Sequence, residues 1–199
     1  MTKMMLLSVC IVYFLAACSE NDKSINPNPP DVIFPLEIGN QWVYQNLDQD
    51  TIQYIDTLNC LSAKVINNNK YYLIQYADSK SGILITNKAK GVYYLQDSIE
   101  DVCMALYPCV AGDTFHYVRN YTFVVASTDE LVDVPAGSFK CIKYQSITPV
   151  GVLLTRLENW YCIGIGLVRS CFSYKLNSEP DAIFKRVSDR KLLSFSLRK

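Results

Sequence analysis

The stretch TFHYVRNYTFVVAS, Thr114 to Ser127, decides how this chain is to be read. Phe115, Tyr117, Tyr121, Phe123 and Val125 occupy every second position of one parity. Thr114, His116, Val118, Asn120, Thr122 and Val124 occupy the other, and only Arg119 interrupts the aromatic side. A period of two lets an extended chain turn one side to a core and the other to water, whereas a helix would scatter the same rings around its circumference. The stretch therefore predicts one long β-strand.

Strand signals continue on both sides of it. LVDVPAGSFKCIKYQ, Leu131 to Gln145, reads as a hairpin, with Pro135 fixing φ at the second turn position and Gly137 closing the turn. VLLTRLENWYC and GLVRSCFSYKL form a further strand pair broken at Ile163–Gly166, where bulky side chains would clash. AIFKRV and LLSFSL, from Ala182 and Leu192, read as two closing strands. Upstream, NQWVYQN, TIQYIDTL, LSAKVI, KYYLIQYA, ILITN and VYYLQ are short runs separated by turn residues. Among those turns is Asn67–Asn69, where Asn tolerates positive φ. DSIEDVCMALY, Asp97 to Tyr107, has a helix-like start at Ser98, but Cys103, Ala105 and Tyr107 alternate, and strand is preferred. The sum predicts an all-β domain from Ile33 to Lys199, a curved antiparallel sheet forming a half-barrel or open barrel.

One device occurs twice. FPLEIGNQWVY, Phe34 to Tyr44, and YPCVAGDTFHY, Tyr107 to Tyr117, both run aromatic, Pro, three residues, Gly, Asn or Asp, one residue, aromatic, one residue, Tyr. Each reads as a turn that launches an aromatic-faced strand, since Pro35 and Pro108 cannot donate to a ladder and belong just before it. The repetition fits two similar half-sheets, and it also fits chance similarity in an aromatic-rich β protein.

Composition narrows the function classes. The chain has 199 residues, 19 basic and 19 acidic, so no basic excess points to nucleic acid. The N-terminus is a targeting segment: Lys3 precedes the apolar run MMLLSVCIVYFLAA, which is short for a bilayer span. It ends in LAAC, Leu15 to Cys18, which resembles the lipobox of bacterial lipoproteins. That resemblance implies a signal peptide over residues 1–17, cleavage between Ala17 and Cys18, and acyl chains such as palmitate on Cys18 as a membrane anchor. Two or three chains would hold the protein firmly, where one gives only marginal binding. Ser19 favours the outer membrane by the enterobacterial sorting pattern, and Glu20 and Asp22 resemble the acidic surface-export signal of Bacteroidetes lipoproteins. Residues 18–32, polar and holding three prolines, read as the lipidated Cys and a disordered tether.

Of eight cysteines, six belong to the domain: Cys60, Cys103, Cys109, Cys141, Cys162 and Cys171. In an oxidising compartment six thiols allow about 15 pairings, and Cys103 with Cys109, or Cys162 with Cys171, are the local ones. Several can equally be small buried apolar residues. There is no C-x-x-C, and His116 is the sole histidine, so neither metal nor cofactor is implied.

Three stretches together resemble a broad set of uncharacterised bacterial lipoproteins with one small β domain. These are FPLEIGNQWVY, VPAGSFKCIKY and WYCIGIGLVRS, with Cys162 and Ile163 standing where the set usually has Ala-Pro. The resemblance implies a curved antiparallel sheet and carries no catalytic residue.

For chemistry, Glu100 with Asp101, and Asp129 with Glu130 and Asp133, are the carboxylate groups that could serve acid–base work, with Glu158 beside Trp160 a further one. Binding is the preferred class. Trp42, Tyr44, Tyr117, Tyr121, Trp160 and Tyr161 could line the concave side of the sheet, or simply fill its core. The expectation is a lipid-anchored envelope protein, facing periplasm or exterior. Its role is a non-catalytic binding or assembly module for an apolar ligand or an envelope protein partner. The alternative is an envelope hydrolase using a carboxylate pair.

Overall fold

The computed structural model describes residues 32–97, 100–117 and 121–198. Ala17, Cys18, the tether as far as Asp31, and Arg119 lie outside the described residues. The described chain is built of strands, with no helix. In chain order they are β1 (Gln41–Asp48), β2 (Thr51–Ile66), β3 (Asn69–Tyr76), β4 (Gly82–Lys88), β5 (Gly91–Gln96), β6 (Glu100–Leu106), β7 (Thr114–Tyr117), β8 (Tyr121–Val134), β9 (Gly137–Val150), β10 (Leu153–Cys162), β11 (Gly166–Leu176) and β12 (Lys185–Ser196).

They form one 12-stranded antiparallel sheet in the order β6-β5-β4-β3-β2-β1-β12-β11-β10-β9-β8-β7. The sheet curls into a nearly closed barrel with an unsealed seam between β6 and β7. Register shifts at Val43/Tyr44, Asn46/Leu47, Trp160/Tyr161 and Val125 to Glu130 insert the bulges that bend such a sheet. The order also divides the molecule in two. β1–β6 and β7–β12 are both six-strand meanders, and each starts immediately after one copy of the repeated turn.

The core is the barrel interior. Trp42 and Tyr44 on β1, Phe123 on β8, Tyr144 on β9, Ile74 on β3, Ile85 on β4 and Leu192 on β12 are buried there, with Ile33 and Phe34 packed among them. Burying each of the aliphatic side chains contributes roughly 1.5–3 kcal/mol. Phe34 packs against Trp42 with ring centroids 4.7 Å apart and the planes tilted by 42°. Its ring also explains Gly166: a Cβ at that position would sit 2.6 Å from Phe34 Cδ2.

Several strand boundaries differ from the sequence reading. Thr114–Ser127 is not one strand but a hairpin, β7 and β8, with Phe115 opposite Phe123 and Tyr117 opposite Tyr121. Directly opposed residues in an antiparallel pair share a face, so an odd number of intervening residues keeps the alternation in phase across the reversal. Periodicity alone could not reveal the turn. Conversely, TIQYIDTL and LSAKVI run together as the 16-residue β2, Tyr121–Ser127 and LVDV run together in β8, and KRV joins LLSFS in β12, while Ala182–Phe184, read as strand, lie before it. Asn59–Cys60 and Ser188–Lys191, which interrupt the apolar pattern, continue as strand because neighbouring strands hold their backbone. The Asn67–Asn68 turn, at φ 48° and 62°, and strand β6 stand as read.

Candidate functional site

A strand's alternation sends the side chains of β1 at Trp42 and Tyr44 inward together. They then reach past β12 to the start of β11, two strands along the sheet. Trp42 Nε1–H donates to the Ile165 carbonyl at 2.7 Å, and the Tyr44 hydroxyl donates to the Leu167 carbonyl at 2.9 Å. Beside them lies an interior cavity of about 230 Å³. Phe34, Ile74, Ile85, Met104 and Leu167 make its apolar surface, and Tyr44 and Tyr161 add ring faces. Its polar margin is Tyr76, Ser79, Ser81 and Arg190, at the β3–β4 turn and the middle of β12.

Arg190 is an interior cation. Its Nη2 donates to Asp56 Oδ1 at 3.0 Å and its Nη1 to the Tyr76 hydroxyl at 2.9 Å. The guanidinium lies 4.0 Å from the Tyr44 ring centroid and 5.3 Å from that of Tyr76, within cation–π range of both. Asp56 faces Tyr44 on β2, so the ion pair bridges β2 and β12 across β1. Arg190 Nε and Asn46 Nδ2, on opposed residues of β12 and β1, are buried with no protein acceptor, so the cation is not saturated by its partners. Burial holds the hydroxyls of Tyr44 and Tyr161 far above the ordinary phenol value. The ring walls are therefore neutral across the physiological range.

A second cavity, of about 600 Å³, opens at the seam. Tyr117 and Tyr121 line it with His116, Glu100 and Asp101. His116 Nδ1 lies 3.1 Å from Thr122 Oγ1, its partner across the β7–β8 ladder. Asp101 accepts from the Tyr71 hydroxyl at 2.9 Å and pairs with Lys88.

The six aromatic residues are thus distributed rather than gathered. Tyr44 and Tyr161 line the interior cavity, Tyr117 and Tyr121 the seam, and Trp42 packs beneath on Phe34. Trp160 faces outward, because its neighbour Tyr161 points in and adjacent strand residues alternate. It is covered there by Lys143 and Arg169, 4.9 and 5.0 Å from its ring centroid, and its Nε1–H donates to Glu130 at 2.9 Å.

The remaining carboxylates belong to that outer face. Glu158 pairs with Lys143 at 2.9 Å and Arg156 at 3.3 Å and accepts from Gln145. Asp189 is held by Arg169, Arg186 and Lys191. Asp133 accepts from Ser138, and Asp129 lies 3.5 Å from Ser127 Oγ. No three His, Cys, Asp or Glu side chains among the described residues group so as to hold a metal ion. Arg190 and Tyr76, which edge the interior cavity, and Asp56, which pairs with Arg190, carried no sequence signal. Asp56 and Tyr76 sit in ordinary alternation, and Arg190 lies between two runs that read as separate strands.

No protein-family model and no curated protein matches the chain. Among solved structures, an inferred exported protein from Bacteroides fragilis with a YmcC-like fold aligns over 84% of this chain and 100% of its own, at 17% identity and a TM-score of 0.55. An inferred lipoprotein from Parabacteroides distasonis aligns over 83% of this chain and 99% of its own, at 13% identity and a TM-score of 0.42. The first likeness shows that this barrel shares the YmcC-like fold.

Proposed function

We propose that the protein is a lipid-anchored module of the bacterial cell envelope that holds a small amphipathic ligand inside its barrel. The observation that carries this reading is the interior cavity, apolar on its walls and edged by Tyr76 and by Arg190, which Asp56 pairs from behind. At about 230 Å³ it is smaller than the roughly 300–1,000 Å³ typical of drug-sized ligands, so it suits a small molecule or one end of a longer one. Asp56 already balances the Arg190 charge, so the margin favours a neutral polar end that accepts hydrogen bonds over a second anion. The envelope location is supported by the LAAC motif at Leu15–Cys18 and by the likeness to an inferred exported protein. The hydrolase alternative draws less support from this cavity, which no pair of those carboxylates lines: Glu158, Asp101 and Asp133 are engaged by cations or hydroxyls, and Glu100 and Asp101 lie at the seam instead.

Native mass spectrometry of the protein isolated from its own envelope tests the binding role. A retained small molecule, released on denaturation and missing from a Met104→Trp variant that fills the cavity, is the expected result. A wild-type protein that carries nothing and binds no fluorescent apolar probe would refute it. The anchor is tested separately: Cys18→Ala should move the protein from the membrane fraction to the soluble one.

A further inference from the structure

We infer that Cys141 and Cys162 are a redox-active thiol pair, a modification site that closes to a disulfide between β9 and β10. The register places them together. Trp160 opposes Lys143 and Tyr161 opposes Ile142, so the next step along the same ladder sets Cys162 against Cys141. Opposed Cα atoms in antiparallel strands are about 4.5–5.5 Å apart, inside the roughly 4.4–6.8 Å window that a disulfide spans. Both thiols are free, Cys141 Sγ–H donating to the Phe139 carbonyl at 3.7 Å and Cys162 Sγ–H to the Ile163 carbonyl at 3.6 Å, and each lies near enough to shift the other's titration. The pairing read from sequence between Cys162 and Cys171 is not available: Cys171 opposes Glu158, four residues earlier on β10. Cys103 instead contacts Tyr93, and Cys109 contacts Tyr144.

The environments of the two thiols divide the labour. Cys162 is half-buried and Cys141 is buried. Their proximity draws the Cys162 thiol below its ordinary value and pushes that of Cys141 up. Cys60, Cys103, Cys109 and Cys171 are all raised by burial. Cys162 is thus the accessible nucleophile. Its thiolate attacks one sulfur of a small-molecule disulfide, forming a mixed disulfide and expelling one thiolate. With the negative charge on Cys162 gone, Cys141 no longer has to hold its proton for a neighbour. It yields that proton, attacks Cys162 Sγ and expels the second thiolate. Two protein thiols are oxidised, one small disulfide is reduced to two thiols, and the two protons end on those thiols.

The position gives the bond a consequence. Cys162 opens the hairpin that leads into β11, and that hairpin supplies the Ile165 carbonyl to Trp42 and, just beyond it, the Leu167 carbonyl to Tyr44. Closing the pair fixes this hairpin to β9 and so fixes the wall against which the interior aromatics rest.

The test exposes the folded full-length protein to oxidised glutathione, then unfolds it, alkylates remaining thiols and maps the peptides. The expected product is a Cys141–Cys162 cross-link, two hydrogens lighter, with the other four domain thiols alkylated and a Tm higher by on the order of 5–10 °C. Cys141→Ser should instead trap glutathione on Cys162, and Cys162→Ser should leave Cys141 free. Wild-type protein that melts cooperatively yet keeps Cys162 fully alkylatable, stops at the mixed disulfide, or links other cysteines would overturn the assignment.

Discussion

The turn before β1 and the turn before β7 hold the chain in the same way. Gly39 and Gly112 both sit at φ 95°. The Asn40 amide donates to the Glu37 carbonyl at 3.0 Å, and the Asp113 amide to the Val110 carbonyl at 3.1 Å. Each turn then clasps a residue of a neighbouring strand. Gly39 N–H donates to the Cys60 carbonyl at 2.8 Å, and Cys60 N–H donates back to the Asn40 carbonyl at 2.9 Å. Gly112 and Asp113 do the same with Val125, at 2.9 and 2.8 Å. The strands launched from the two turns are unlike. β1 runs eight residues with β2 on one side and β12 on the other, whereas β7 runs four and pairs only with β8. In a ring of two six-strand meanders, the β1–β12 junction and the β6–β7 seam are equivalent places, one zipped and one open. The turn sets direction and facing locally. The energy each launched strand contributes is set by neighbours that the turn does not specify.

Substitutions made in pairs, one in each copy, measure that difference. The largest effect is expected at the first inward ring. Trp42 is fully buried, packed against Phe34 and bonded to Ile165, so Trp42→Ala should cost roughly 4 kcal/mol in chemical denaturation. Phe115 packs on Phe123 and Tyr144 with ring centroids 5.5 Å away but lies on the edge strand, and Phe115→Ala should cost roughly 3 kcal/mol or less. The reverse order would mean that the seam side, not the zipped side, carries the core.

The next pair exchanges the turn residues themselves. Asn40 is 1% exposed, and its amide donates to the Pro35 carbonyl while its oxygen accepts from Arg198 N–H. Asn40→Asp puts a carboxylate against a carbonyl without water, at a cost of about 3 kcal/mol near neutral pH. Asp113 accepts only from Val110 N–H, which an amide oxygen can replace, so Asp113→Asn should cost under about 1 kcal/mol. Thermal melts of both variants decide it. Equal losses would show the second turn to be as enclosed as the first.

The sequence made the shared part of this comparison legible. Gly39 and Gly112 at turn positions, and rings two residues apart after them, are short-range facts with one physical solution. The curved all-β sheet followed from alternation in nearly every run. Three things were not legible, and each is non-local. The β7–β8 reversal preserves parity and so leaves no trace in the period. The continuity of β2 through Cys60 depends on β1 and β3 holding it from both sides. The pairing of Asp56 with Arg190 joins residues far apart in sequence, brought together only because β1 lies between their strands. That last fact explains why aromatic residues were the visible half of the cavity and its polar margin was the hidden half.

A milder pair tests the second ring. The Tyr44 hydroxyl satisfies the Leu167 carbonyl inside the barrel, so Tyr44→Phe should leave a buried acceptor bare and cost about 1–2 kcal/mol. Tyr117 is half-buried beside the seam, against Tyr94 and Phe123, contacts that a phenyl ring keeps. Tyr117→Phe should cost about 0.5 kcal/mol or less. A large loss at Tyr117, measured by the same melts, would place its hydroxyl in a bond as important as that of Tyr44.

The smallest contrast is expected at the glycines. At φ 95° a side chain is strained whatever the space around it, so Gly39→Ala and Gly112→Ala should each cost about 1–2 kcal/mol. Their surroundings differ: a Cβ at Gly39 would sit 2.3 Å from Arg198 Nε, whereas one at Gly112 would meet nothing within 4 Å. The Arg198 side chain is long and can swing aside, so the two losses should agree within about 0.5 kcal/mol, since the shared backbone strain dominates. A markedly larger loss at Gly39 would show that Arg198 cannot move. Its backbone N–H is already tied to Asn40, and the side chain would then be a second clamp holding the end of the chain to the first turn. Gly39→Ala combined with Arg198→Ala separates the two cases, because removing the arginine should restore equality with Gly112→Ala only if the clamp exists.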